Sequence, residues 1–246
     1  REIKLIGEDI PLDIVYEDDS FLIINKPSGM VVHPGHGNYS GTMLNGLIKH
    51  FEKKNISNFQ PSLVHRIDKN TTGLLVVSKN EESLMFLTKQ FYERTVTRSY
   101  FALVWGDVVN ESGKIEGNIG RSLKDRKVMD VFPDSQKGKH AVTNYKVIKR
   151  FGYVTLVECK LETGRTHQIR VHFKYINHPL FNDPQYGGNR IMKGTVFNKY
   201  KQFVDNCFKI IPRQALHAYS LGFVHPVTKE KVLFKSPMPQ DFSSLL

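Results

Sequence analysis

The chain of 246 residues is 40% hydrophobic and 24% charged, an ordinary globular composition with length for one substantial core or two small ones. Its formal net charge of +11 favours a polyanionic partner, since each neutralised phosphate releases counterions; a solvated basic surface is the plain alternative. Only two cysteines are present, Cys159 and Cys207, which excludes a disulfide framework and a cysteine metal cluster; they read as free thiols of a reducing compartment, so a cytoplasmic protein is expected.

Residue 1 is Arg rather than Met, so residues are expected to precede it, and the start lacks the apolar stretch of a secretory signal. The runs 14–16 and 21–25 are β-prone and flank an acidic turn of Glu17, Asp18, Asp19 and Ser20. Lys26, Pro27, Ser28 and Gly29 break the chain, an extended run resumes over 30–32, and 33–41, rich in Gly, Pro and Asn, reads as an ordered loop. Met43, Leu44, Leu47, Ile48 and Phe51 recur at helical spacing behind Thr42 as a cap. After a polar loop over 53–61, the apolar run 74–78 predicts a strand. Asn80 then caps a helix to about Glu93, with Leu84, Leu87 and Phe91 inward.

Residues 99–105 return to strand, and the basic, glycine-interrupted segment 113–127 reads as a hairpin or a surface excursion. Residues 144–149 and 153–161 read as paired strands around the turn Arg150, Phe151, Gly152. A helix is predicted over 166–175 with Ile169 and Phe173 inward, whereas 193–205, polar with scattered aromatics, carries no assignment. Strands over 218–224 and 231–235 close the chain, with His225 and Pro226 at the turn between them. No apolar run approaches the ~18 residues of a membrane span. Short strands with helices at irregular intervals predict an α+β fold rather than a regular βαβ array.

Three clusters could carry chemistry. The densest is His65, Arg66, Ile67, Asp68, Lys69, Asn70, Thr71, Thr72 and Gly73, where a carboxylate sits in a polar loop leading into a rigid strand. Asp68 could equally cap a turn there. A protein kinase would need His-Arg-Asp without the intervening Ile67, a downstream Asp-Phe-Gly and a glycine-rich loop with its strand lysine, and these are missing. A zinc-protease helix is excluded by the His167 to His172 spacing of five and the lack of its glutamate. The second cluster runs from Leu161 to His172. An arginine just before a helix, Arg165, can hold a carboxylate in a planar fork, and Arg165 and Arg170 could also form structural ion pairs or meet phosphate. In the third, Tyr100 and Ala102 share one face of a strand, so Tyr100 is either a sheet tyrosine or a ring for stacking on a base.

Together the clusters resemble the RluA/RluD-type pseudouridine synthases, closest to the RluD branch that modifies large-subunit ribosomal RNA. The likeness extends to Asn25-Lys26-Pro27, Val31-Val32-His33-Pro34-Gly35, Lys139-His140-Ala141-Val142-Thr143, Asp183-Pro184-Gln185-Tyr186-Gly187-Gly188 and Arg213-Gln214-Ala215-Leu216-His217-Ala218, and so covers nearly the whole chain. The resemblance implies the pseudouridine synthase fold, a long, mostly antiparallel, twisted sheet with flanking helices and loops around a catalytic cleft. It implies a single catalytic domain over 1–246. The small ribosomal-protein-like RNA-binding module that many members carry at the N-terminus is not in this sequence.

The implied reaction breaks the bond from N1 of uracil to C1′, turns the base and rejoins it through C5, with no net redox or hydrolysis and therefore no cofactor or metal. Asp68 matches the catalytic aspartate, already ionised at neutral pH with an ordinary pKa of ~3.9. Arg165 matches its basic partner, and Tyr100 the tyrosine that stacks on the base. The base must be flipped out of folded RNA, and Arg66 stands where relatives fill the vacated stack. His65 and Arg170 are further expected RNA contacts, and Arg121, Lys124, Arg126 and Lys127 an expected phosphate-tracking patch. Transfer RNA is the alternative substrate. A nucleoside glycosidase would need a second carboxylate that the first cluster lacks, and a non-catalytic ribosome-assembly factor would have little need of Asp68, Tyr100 and Arg165 together. A monomer without membrane attachment is expected.

Overall fold

The computed structural model describes residues 5–35, 37–133 and 137–246. Residue 36, in the predicted ordered loop, lies outside the described residues. The elements follow in the order β1 (Ile14–Glu17), β2 (Phe21–Lys26), α1 (Met43–Lys53), β3 (Ser62–Leu63), β4 (Thr72–Ser78), α2 (Glu81–Tyr92), β5 (Thr97–Trp105) and β6 (Ser112–Arg121). Then come β7 (Met129–Phe132), β8 (Lys139–Arg150), β9 (Val154–Leu161), α3 (Gln168–Tyr175), α4 (Asn198–Ile210), β10 (Leu216–Val224), β11 (Lys231–Lys235) and α5 (Gln240–Ser243). Every pairing described is antiparallel, with helices inserted between strands, so the fold is α+β as expected.

The chain groups into two compact units, one of Arg1–Thr97 with Ser220–Ser236 and the other of Arg98–Tyr219 with Pro237–Leu246. In the first, β2 lies between β1 and β4, in register from Phe21↔Ser78 to Lys26↔Gly73. β4 is buried along its whole length, and for that reason its sequence is a continuous apolar run rather than an alternation. Phe21, Ile23, Leu74 and Val76 pack with Leu87 of α2 and with Leu221 and Phe223, all nearly solvent-free. Each such side chain stabilises the unit by roughly 1.5–3 kcal/mol relative to exposure. The two predicted caps are present. Thr42 Oγ1 accepts the Asn45 N–H (3.5 Å) while Asn45 Oδ1 accepts the Thr42 N–H (3.1 Å), and Asn80 Oδ1 accepts the Ser83 N–H (2.9 Å). The extended run expected over 30–32 forms no strand. Instead the Val31 and Val32 carbonyls accept the N–H groups of Met43 and Leu44, donors that the first turn of α1 cannot satisfy itself.

In the second unit the strands stand in the order β5-β9-β8-β6-β7. Leu103, Trp105, Leu156 and Phe181 form a core with Val204 and Cys207 of α4 and Phe242 of α5. The segment 113–127 is a hairpin strand and its loop, not an excursion. Ile115 and Ile119 of β6 are buried, and only the loop after Arg121 stands out in solvent. α4, absent from the sequence reading, buries only Val204 and Cys207, and that narrow stripe hid it among polar residues. Both thiols are buried and unpaired, and burial pushes each above its ordinary pKa.

Candidate active site

Asp68 lies in the loop between β3 and β4 of the first unit, half-buried, with its carbonyl accepting the Thr71 N–H at 3.0 Å to close the turn. The loop is fixed from below by Lys26. β2 ends at this residue, opposite Gly73, and the side chain is fully buried. Its ammonium donates to the carbonyls of Pro27 (2.8 Å), Met30 (3.0 Å) and Lys69 (2.8 Å), matching its three hydrogens. The Gly29 N–H meets the same Lys69 carbonyl at 3.0 Å. A buried cation thus ties the 26–30 turn to the residue next to Asp68. Gly73, at φ 116°, makes the bend from this loop into β4 in a conformation that other residues rarely adopt.

His65 also faces inward. Its Nε2 accepts the Val76 N–H at 3.1 Å, and its ring stacks on Phe91 with centroids 4.7 Å apart. It therefore braces the loop against β4 and α2, a role that its expected contact with RNA does not describe. Arg66 points outward and is exposed. Its guanidinium, together with burial, holds the nearby His33 imidazole below its ordinary pKa, burial being the larger cause.

The Arg165 loop, in the second unit, is built differently. The helix expected from residue 166 begins at Gln168 instead, because His167 adopts a left-handed conformation at φ 56°. That turn brings the buried Gln168 side chain under the preceding residues. Its Oε1 accepts the Thr163 hydroxyl (2.7 Å) and the Arg165 N–H (3.0 Å), and its Nε2 donates to the Val142 carbonyl (2.9 Å) and to Thr143 Oγ1 (3.0 Å). Every hydrogen-bonding position of the amide is used. The Arg165 guanidinium is half-buried, with Nε donating to the His140 carbonyl at 3.1 Å. Thr143 Oγ1 also lies 2.9 Å from His172 Nδ1, and burial of that ring drives its pKa down to about 4, against a smaller opposing pull from the Gly117 carbonyl. Tyr100 stands on β5 opposite Cys159 of β9, in the same unit as Arg165, and is only 7% exposed, which fixes its ring.

Arg170 takes the ion-pair alternative. At 3% exposure it grips Asp183 through Nε (2.7 Å) and Nη2 (2.9 Å), and Nη2 also reaches Gln185 Oε1 (2.7 Å). A buried guanidinium so engaged braces α3, the ion-pair reading of the sequence rather than the phosphate one. Arg121, Lys124, Arg126 and Lys127 do stand together in solvent. The β6–β7 loop is closed by Arg121 Nη1 on the Arg126 carbonyl (2.9 Å) and by the Lys127 N–H on Asp125 (2.9 Å).

Lys26 and Gln168 are the residues that pattern reading missed as anchors. The one usable signal was a lysine closing the apolar run of β2 just before a proline. Among the described residues no group of three or more His, Cys, Asp or Glu could hold a metal ion, and no helix is long and apolar enough to cross a membrane.

The frame is antiparallel α+β; the first unit carries a carboxylate loop anchored by a buried cation, the second a braced arginine loop and a strand tyrosine. The RNA pseudouridylate synthase family matches residues 20–175, and the chain belongs to that family. It is accordingly an isomerase that converts uridine to pseudouridine in RNA. It is 46% identical over 246 residues to "Uncharacterized RNA pseudouridine synthase YlyB" of Bacillus subtilis, covering 99% of this chain and 75% of the relative. It is 46% identical to "Ribosomal large subunit pseudouridine synthase D" of Neisseria meningitidis serogroup B, covering 100% of this chain and 63% of that longer protein. Among solved structures, "Human RNA Pseudouridylate Synthase Domain Containing 1" superposes with a TM-score of 0.69 at 28% identity, covering 94% of this chain and 85% of that one.

Proposed function

We propose that this chain modifies uridines of large-subunit ribosomal RNA, with Asp68 as the catalytic carboxylate, Arg165 as its guanidinium partner and Tyr100 as the ring that stacks on the target base. The likeness along the entire chain to a relative named for the large ribosomal subunit carries the substrate. The residue roles draw support from the way each loop is held. Asp68 and Arg165 both sit on backbone fixed by a buried anchor, as catalysis by positioning requires. Arg66, planar, cationic and exposed, fills the stack vacated by the flipped base, and the β6–β7 loop follows phosphates.

The bond from N1 to C1′ breaks, the detached base turns, and C5 bonds to C1′. C5 then loses its proton while N1 gains one, so the product has the mass of the substrate. The atom balance closes with no oxidant, water or external group. The same reading makes the protein a cytoplasmic monomer.

The test is a map of pseudouridine across total RNA in cells with and without the gene, repeated with Asp68→Asn. Sites in large-subunit ribosomal RNA should vanish in both the deletion and the variant. Sites lost only from transfer RNA would move the substrate assignment, and modification that survives Asp68→Asn would remove Asp68 from the chemistry.

A further inference from the structure

Between Asp183 and Asp205 the sequence has no acidic residue and four basic ones, Arg190, Lys193, Lys199 and Lys201, all exposed. The same segment turns large apolar side chains outward: Val196 is 97% exposed, Phe197 71% and Phe203 63%. Want of a core does not explain this, because α4 buries Val204 and Cys207 on a neighbouring stripe. On the outward face Lys199, Phe203, Asn206 and Ile210 follow one another at helical spacing, so cation, ring, amide and aliphatic side chain share one stripe. None of these positions belongs to the loops described above.

The loop before α4 is held in shape. The Tyr200 hydroxyl donates to the Lys193 carbonyl at 2.7 Å, and the Tyr200 ring meets Tyr153 edge-on at 5.3 Å. Gly194 sits against that ring at φ 128°, where a Cβ would come within 2.1 Å of it, so only glycine lets the loop close on Tyr200. Val196 and Phe197 are therefore displayed by fixed backbone.

We propose that residues 189–203 and the outward face of α4 form a second RNA-contact surface, with lysines meeting phosphates and Phe197 and Phe203 stacking on unpaired bases. The proposal rests on the RNA reading above and adds a surface to it. Interleaved cations and exposed rings are what single-stranded nucleic acid requires, since every base has a face to stack and every nucleotide a phosphate. A protein partner fits less well, because the cores of protein interfaces are depleted in lysine. A second copy of this chain would set the same four cations against themselves.

The test measures binding of the intact chain to large-subunit ribosomal RNA transcripts over a salt series. For Lys199→Ala, the slope of log affinity against log salt should become shallower by about 0.7, the value for one single-strand phosphate contact. Phe203→Ala should weaken binding about tenfold with the slope unchanged, the signature of a lost stack. Turnover at saturating RNA should match wild type in both variants, and circular dichroism should show α4 intact. If the wild type modifies the RNA while both variants bind as it does, the surface is overturned and the substrate reading survives. If the wild type binds the transcripts but modifies none, the substrate reading fails, while the slope still judges the surface. Self-association that Phe203→Ala abolishes with RNA affinity unchanged would also overturn the surface, in favour of a contact between copies.

Discussion

The loops carrying Asp68 and Arg165 are both pinned by one buried side chain reaching backbone groups, but one anchor is an ammonium and the other a neutral amide. Lys26 brings a positive charge beneath the loop of a carboxylate and satisfies three carbonyls at once. Gln168 holds the loop of a guanidinium with both donors and both acceptors, and adds no like charge beside it. Each anchor thus suits the sign of the residue it positions. The price of the first design is a buried cation that cannot be removed without taking their donor from the Pro27 and Met30 carbonyls, the Lys69 carbonyl keeping the Gly29 N–H. The second depends on a network of neutral groups that includes a buried imidazole.

Four measurements break or sharpen this contrast. Lys26→Met should cost the most, about 4 kcal/mol in denaturant unfolding, because charge-assisted bonds are worth roughly 1.5–3 kcal/mol each and the buried ammonium makes three. The surviving protein should have a lowered kcat; full activity would show that the Asp68 loop needs no anchor.

Acid should strain the neutral network next. The His172 pKa lies at about 4 in the folded state, below an unfolded value near 6.5, so the unfolded chain binds the extra proton between those values. This contribution to stability is fully present above about pH 6.5 and is lost as pH falls towards 4, by up to about 3 kcal/mol. His172→Gln, which does not titrate, should flatten that part of the stability profile, and an unchanged slope would show that the loss arises elsewhere.

Gln168→Ala should cost about 2 kcal/mol, since it orphans neutral groups only, and should lower kcat more than it alters KM, as expected of a residue that positions Arg165. Recovery of kcat in Gln168→Glu, which keeps the acceptors for Thr163 and Arg165, would separate positioning from packing. The smallest effect on stability, about 1 kcal/mol from the lost Arg121 bond to the Arg126 carbonyl, belongs to reversing Arg121, Lys124, Arg126 and Lys127 to Glu on the exposed β6–β7 loop. RNA affinity and its salt dependence should nevertheless fall together, and equal affinities at every salt concentration would mark the loop as merely solvated.

Much of this was legible in the residues. The helices behind Thr42 and Asn80 could be read because capping is local chemistry, complete within three or four residues. β4 could be read because burial on both faces writes an uninterrupted apolar run. The loops proposed as the site stand out by the density of polar groups around Asp68 and Arg165. α4 was not found, because its buried stripe is two residues wide and its outward face carries rings and lysines alike. His65 and Arg170 were expected at RNA, with an ion pair open for Arg170, because a polar side chain in a string of letters shows no direction. Their partners, Val76, Asp183 and Gln185, lie 11 to 15 residues away along the chain.

The sequence by itself determined the α+β class, the helix caps, the family likeness and the chemical identity of the residues proposed to act. Those depend on residue type and on spacing within a turn or two. The tertiary structure alone decided which polar residues are anchors. Lys26 meets Lys69 across 43 positions and Gln168 meets Val142 across 26, and only folding reveals that such a partner waits for a buried charge or amide. A buried polar group must be paired, and where its pair stands is a property of the folded chain.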